Sequence, residues 1–207
     1  MITTSRIIKV SLTDFVDFMC KAGKSKISQV KTIKKRHDSP YSPAKDFYKP
    51  MREGIINFHK FNKDMRSLDA IWMGATDVKK RTAYPNIITG YRSFLNGKDV
   101  TWIKSPRANS WIYRNLEIRI NPELCLAFGS NEHIIKLYFK KDRLSRNHAL
   151  SINHLMQTTL GNGKIKSICG ILDVRNGNLI EELPLNGEFV QMVNEEASNF
   201  LRLYNGV

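Results

Sequence analysis

A run of basic residues near the N-terminus has the composition of a phosphate-binding surface. Seven Lys and Arg residues and no acid fall between Lys21 and Arg36. Each cation that neutralises a phosphate releases a condensed counterion, so such a run gains affinity for a polyanion without reading bases. The other interpretation is a solvated helix face that only keeps the protein soluble. The residues of this run that we predict to contact phosphates are Lys24, Lys26, Lys31, Lys34, Lys35 and Arg36.

Two smaller basic clusters could extend that surface. The second cluster comprises Lys79, Lys80 and Arg81, and the third comprises Lys136, Lys140 and Lys141. In the third, Tyr138 lies between two lysines on one face of a predicted strand, and basic residues interleaved with an aromatic ring suit a phosphate track with base stacking. Lysines also protect the exposed edges of sheets, so both interpretations stay open.

The charge of the whole chain agrees with a polyanionic partner. The 207 residues include 33 Lys and Arg against 19 Asp and Glu, which gives a formal charge of +14. The surplus is concentrated in the first four-fifths of the chain, because the segment from residue 167 to the end carries more acids than bases. A charge excess of this size and polarity favours nucleic acid as the partner.

Composition excludes several classes of protein. Hydrophobic residues make up 42% of the chain, which is too many for a disordered protein. No apolar run approaches the roughly 20 residues that span a bilayer, and the N-terminus lacks the apolar core of a signal peptide. Cys20, Cys125 and Cys169 are odd in number and lie among apolar neighbours, which predicts reduced core residues. We therefore expect a cytoplasmic protein with no membrane contact.

Hydrophobic periodicity predicts an α+β fold. Helical spacing dominates residues 1–97, with Pro85 expected to begin the last helix of that half. Beyond residue 98 the period changes to two, which predicts a meander of about three strands, then a helix, a hairpin at Asn176-Gly177 and a C-terminal helix. The expected architecture is a helical N-terminal half packed on a mixed or antiparallel sheet. Since no Gly/Ser linker separates the basic helical region 1–97 from the sheet-containing region 98–207, we expect one composite unit.

The common catalytic and cofactor motifs are absent from the sequence. There is no Gly-rich phosphate loop, no dinucleotide-binding glycine motif, no paired Cys-x-x-Cys and no nucleophile elbow. The five histidines are scattered, whereas a metal site needs several convergent ligands. These observations predict neither a cofactor nor a metal site.

The order of elements over about residues 85–174 resembles that of restriction-endonuclease-like nucleases. A helix, a three-strand meander, a helix and a strand follow one another, and this order, without a diagnostic motif, covers less than half of the chain. The resemblance implies an acid on the second strand and an acid-x-Lys on the third, which together hold Mg²⁺ beside the scissile phosphate. The matching residues are Glu123, in Asn-Pro-Glu-Leu, and Lys136, in Ile-Ile-Lys. Ile134 stands where the third-strand acid belongs, so the metal-binding motif is degenerate.

Three functions follow from these patterns. The first is a non-enzymatic, sequence-tolerant nucleic-acid-binding protein that uses the clustered cations. The second is a Mg-dependent nuclease with a restriction-endonuclease-like core and migrated ligands, in which Glu123 and Lys136 would be catalytic. The third is a protein-interaction subunit whose acidic segment, Asp173 to Glu196, docks a basic partner or the chain's own basic half.

Overall fold

A computed structural model describes residues 6–37, 46–141, 144–160, 167–181 and 187–207. The helices are α1 (Leu12–Met19), α2 (Gly23–His37), α3 (Lys49–Lys60), α4 (Arg66–Met73), α5 (Val78–Leu95), α6 (Arg146–Leu160) and α7 (Gly187–Gly206). The strands are β1 (Ile8–Ser11), β2 (Thr101–Lys104), β3 (Asn109–Tyr113), β4 (Leu116–Ile120), β5 (Leu124–Phe128), β6 (Asn131–Tyr138), β7 (Ile168–Asp173) and β8 (Asn178–Glu181). The predicted α+β class, the helical N-terminal half and the C-terminal helix are confirmed.

The strands form two sheets instead of one continuous meander. A five-stranded sheet has the order β2-β5-β6-β7-β8, in which only β6 and β7 are parallel. A three-stranded sheet has the order β1-β4-β3. The predicted count of about three strands before α6 was too low, because β3 and β4 turn at Arg114 without a Gly or Pro to mark the turn. Arg114 adopts a left-handed φ of 52° there.

Hydrophobic cores cover both faces of the five-stranded sheet. On one face, Ile135 and Leu137 pack with residues of α3, α4 and α5. On the other face, Ile134 packs with residues of α1, α2, α6 and α7, and with the three-stranded sheet. Successive side chains of a strand point to opposite faces, so the continuous apolar composition of β5 and β6 follows from burial on both sides. Helices α2 and α5 therefore belong to cores on opposite faces.

Pro85 lies inside α5, so the prediction that it begins the helix was wrong. The helix starts earlier because the Asp77 side chain caps it, accepting hydrogen bonds from the backbone N–H groups of Lys79 and Lys80 at 2.7 and 3.3 Å. A proline within a helix leaves the carbonyl four residues earlier without its usual donor. Here that carbonyl belongs to Arg81, and the indole N–H of Trp72 donates to it at 3.1 Å. A side chain from α4 thus replaces the missing backbone hydrogen bond.

Two glycines allow α5 to lie directly on the β7–β8 turn. A Cβ built on Gly90 would stand 2.1 Å from the carbonyl oxygen of Val174 and 2.4 Å from that of Arg175. Gly177, at the tip of the hairpin, has a φ of 63°, and a Cβ there would stand 2.5 Å from the carbonyl oxygen of Gly90. The predicted Asn176-Gly177 hairpin is confirmed, and its glycine also serves helix packing.

The cysteines do not all lie in the core. Cys125 and Cys169 are buried and reduced, as predicted, and burial raises the pKa of the Cys169 thiol to about 11. Cys20 is exposed, because it lies just beyond the last turn of α1. In the part of the chain that the structure describes, no helix has both the length and the apolar composition needed to cross a bilayer.

Candidate nucleic-acid interface

Helix α2 presents a stripe of lysines to solvent. Val30 and Ile33 are buried on its inner side. Lys24, Lys31 and Lys35 are all exposed and lie at positions i, i+7 and i+11, which fall on one helical face opposite the buried residues. At 1.5 Å per residue, the stripe is about 16 Å long. We call Lys24, Lys31 and Lys35 the α2 stripe.

The other three cations predicted from this run are held by neighbouring groups. Lys26 lies 2.6 Å from the Glu196 carboxylate and 4.7 Å from the centre of the Phe18 ring. Arg36 pairs with Asp14 at 2.7 Å.

Lys34 donates to the carbonyl oxygen of Tyr204 at 3.1 Å and to that of Val207. Lys26 and Lys34 therefore join α2 to α7, and Arg36 joins it to α1. The contact of Lys26 with Glu196 brings part of the acidic C-terminal segment against the basic run of the same chain.

The second basic cluster belongs to a different layer. Lys79, Lys80 and Arg81 form the first turn of α5, where Lys79 and Arg81 are exposed. Cations in a first helical turn oppose the helix dipole, so this placement costs helix stability and concentrates positive potential. Because α2 and α5 pack on opposite faces of the five-stranded sheet, the two clusters do not form one stripe.

Lys136 is buried beside Glu123. The Nζ atom of Lys136 lies 2.5 Å from Oε1 of Glu123 and 2.9 Å from the carbonyl oxygen of Asn121. The other carboxylate oxygen of Glu123 accepts the backbone N–H of Leu137 at 2.8 Å. The prediction of a solvent-facing strand surface was therefore wrong for Lys136 and for Tyr138, which is also buried. The two residues chosen by the nuclease resemblance do meet, as a buried ion pair.

Lys140, also predicted to contact phosphate, pairs with Asp17 of α1 at 2.5 Å. His148, in the first turn of α6, places Nε2 3.5 Å from the same carboxylate. Burial opposes ionisation of Asp17, but the hydrogen bonds from His148 and Lys140 outweigh it and lower its pKa. The hydrogen bonds to Asp17 and to Cys20 raise the pKa of His148 to about 9, so the imidazole is charged at neutral pH. Of the third cluster, Lys141 stays exposed.

A basic groove that the sequence did not reveal lies at the C-terminal end of α2. Its volume is about 590 Å³, and it is formed by β1, the ends of α2 and α7, and the β3–β4 turn. The described residues that line it include four basic side chains and no acid; the basic side chains are Arg6, Lys9, Lys34 and His37. The signal was weak, because Arg6 and Lys9 stand apart from the basic run in a stretch that is otherwise mostly apolar from Arg6 to Val10.

The described residues do not fit the divalent ion that the nuclease resemblance implies. Among them, no three His, Cys, Asp or Glu side chains converge on one point. Both oxygens of Glu123 already accept hydrogen bonds within the protein, from Lys136 and from the backbone. The nuclease function stays a prediction, and no reaction step is derived from this pair.

No protein-family model matches the chain, and no curated protein is significantly similar to it.

Proposed function

We propose that this protein binds nucleic acid without reading its sequence, and that the α2 stripe is its main phosphate-contact surface. The observation that carries the proposal is the alignment of Lys24, Lys31 and Lys35 on one exposed helical face. No described residue pairs with Lys24 or Lys31, so these ammonium groups can exchange solvent counterions for phosphates.

The packing of α2 supports the proposal that these lysines act together. Lys26, Lys34 and Arg36 fix α2 on its neighbours, so the stripe is held on a packed helix and keeps its spacing. A rigid row of cations binds a polyanion with less loss of conformational freedom than cations on a mobile tail. The basic groove at the end of α2 continues the positive potential beyond Lys35.

Lys79, Arg81 and Lys141 are further exposed cations for the same partner, on other elements. Five of the predicted cations are not part of the proposed contact, because each already holds a partner inside the protein. They are Lys26, Lys34, Arg36, Lys136 and Lys140. The proposed surface is therefore smaller than the sequence predicted.

A comparison of two triple variants tests the proposal. In the first, Lys24, Lys31 and Lys35 become Gln; in the second, Lys49, Arg66 and Arg92 become Gln. The second set is a matched control, because it removes the same number of positive charges. Each of these three residues already pairs with a carboxylate, at nitrogen–oxygen distances of 3.7, 3.0 and 2.6 Å respectively. We expect the first variant to bind random-sequence duplex DNA or RNA more weakly than the wild type, and the control to bind with nearly wild-type affinity. Equal affinity of the two variants would contradict the proposal.

A further inference from the structure

The end of α3 carries an aromatic ring that faces solvent between two lysines. Phe61 is 58% exposed, which is unusual for a phenyl side chain. The ammonium groups of Lys60 and Lys63 lie 5.1 and 5.7 Å from the centre of its ring. We call Lys60, Phe61 and Lys63 the α3 platform.

The backbone fixes the platform in place. Asn62 adopts a left-handed φ of 46° directly after the helix. Its N–H donates to the carbonyl oxygen of His59 at 3.2 Å, and the N–H of Lys63 donates to that of Phe58 at 2.9 Å. These two bonds form a Schellman motif, in which asparagine is the common substitute for glycine. The last turn of α3 places Lys60 beside the ring, and the chain reversal at Asn62 brings Lys63 back to it, so the arrangement exists before any ligand binds.

A cavity of about 640 Å³ adjoins the platform, within the size range of small-ligand sites. Trp102 and Phe58 contribute aromatic walls, and Lys60 and Lys98 contribute cations. Asp99 is the only acid among the described lining residues. Aromatic surface beside cations is the combination that binds unpaired bases and their phosphates.

His59 contributes a neutral imidazole, held by Tyr91, to the wall of this cavity. Burial lowers the pKa of His59 to about 4, so the ring is neutral at pH 7. Its Nε2 pairs with the hydroxyl of Tyr91, whose pKa burial raises well above its ordinary value. The phenol therefore keeps its proton, and its hydroxyl shares a hydrogen bond with Nε2 of the neutral His59 ring.

We propose that the α3 platform and its cavity bind single-stranded nucleic acid. An unpaired base stacks on Phe61, and the ammonium groups of Lys60 and Lys63 move from the ring to the flanking phosphates. The inference rests on the proposed function for its choice of polymer, but not on the α2 stripe. Helix α3 packs on the opposite face of the five-stranded sheet from α2, so the two surfaces can be tested separately.

The test uses a fluorescently labelled five-nucleotide thymidine strand and the full-length protein. We expect Phe61→Ala to weaken binding roughly tenfold, since one stacked base contributes about that factor. Phe61→Tyr keeps the stacking surface and should restore affinity. Replacing Lys60 and Lys63 by Gln should reduce the slope of log affinity against log salt by about 1.4, because each phosphate contact on a single strand contributes about 0.7. Met73→Ala removes another exposed apolar side chain, which is 71% exposed, and should change nothing.

Duplex binding separates this inference from the proposed function. The α2-stripe variant should lose duplex affinity but bind the short single strand normally, while Phe61→Ala should show the reverse. Single-strand binding by the wild type without duplex binding would support the platform and refute the α2 stripe as a duplex surface. Wild-type affinity of Phe61→Ala for the single strand, or no single-strand binding by the wild type at low salt, would overturn the inference.

Discussion

Glu123 immediately precedes β5, Lys136 lies near the end of β6, and their charged atoms are 2.5 Å apart in the protein interior. Their side chains are only 7% and 11% exposed. The carboxylate also accepts the backbone N–H of Leu137, so the pair joins side chain and backbone in one buried network. Such a network is costly to break, because removing one charge leaves the other buried without compensation.

Lys136→Met should therefore lower the free energy of unfolding by about 3 to 5 kcal/mol. The double variant in which Glu123 also becomes Gln should recover part of that loss, since no unpaired charge remains buried. Urea denaturation measures both. The control is Lys9→Met, which breaks the exposed Lys9–Glu117 pair at 3.8 Å and should cost about 0.5 kcal/mol or less. A Lys136→Met protein as stable as the wild type would contradict the role assigned to the pair.

The hydrogen bond from Trp72 to the Arg81 carbonyl should stabilise the protein more when residue 85 is proline. Trp72→Phe should lower the free energy of unfolding by about 1 kcal/mol, because the Arg81 carbonyl loses its donor. In a Pro85→Ala background the same change should cost less, since residue 85 then supplies the helical N–H. A double-mutant cycle with thermal or urea unfolding measures this coupling. Equal costs in the two backgrounds would show that the indole does not replace the missing bond.

The close contact of α5 with the β7–β8 turn predicts that Gly90 cannot be replaced. Gly90→Ala should destabilise the protein by about 1 to 3 kcal/mol or more, because the added methyl group would meet two backbone carbonyls that cannot move independently. Gly97→Ala is the comparison: Gly97 has a φ of 72° and open space around it. That change should cost only the backbone strain, about 1 kcal/mol. A larger loss for Gly97→Ala than for Gly90→Ala would contradict the packing described.

The contacts of His148 predict a loss of stability in mild alkali. The folded-state pKa of about 9 exceeds the ordinary value of 6.5, so the stabilisation is complete below pH 6.5 and is lost as the pH rises through 9. Solvent still reaches this partly exposed contact and screens it, so we expect a change of about 1 kcal/mol. Unfolding measured from pH 6 to 10 should show the decline, and Asp17→Asn should reduce it. A profile identical in the wild type and in Asp17→Asn would refute the assignment.

Sequence patterns predicted most elements because local chemistry specifies them. Ser11 caps α1 and Ser145 caps α6, each accepting the N–H of the third residue after it, and Asn176-Gly177 forms the expected hairpin. Pro85 misled the prediction because the compensating donor, Trp72, comes from another helix. The turn at Arg114 was missed because neither Gly nor Pro marks it, and arginine is an uncommon residue for the left-handed φ that it adopts there.

The candidate site was harder to predict than the fold. Charge counts found the α2 stripe but could not separate Lys24 and Lys31 from Lys26, whose partner Glu196 is 170 residues away in the sequence. The alternation of side chains along β6 correctly predicted which strand face carries Lys136. It did not predict that helices cover that face. The α3 platform was missed because Phe61 continues the apolar spacing of Phe58, three residues earlier, whereas the structure places it at the exposed C-cap of α3.

The most direct test of nucleic-acid binding by the α2 stripe is the salt dependence of duplex affinity. Each phosphate contact on duplex DNA contributes about 0.9 to the slope of log affinity against log salt. We predict that replacing Lys24, Lys31 and Lys35 by Gln reduces the slope by about 2.7, while replacing Lys49, Arg66 and Arg92 leaves it unchanged. Identical slopes in the two variants, or no binding of duplex by the wild type at low salt, would contradict the account.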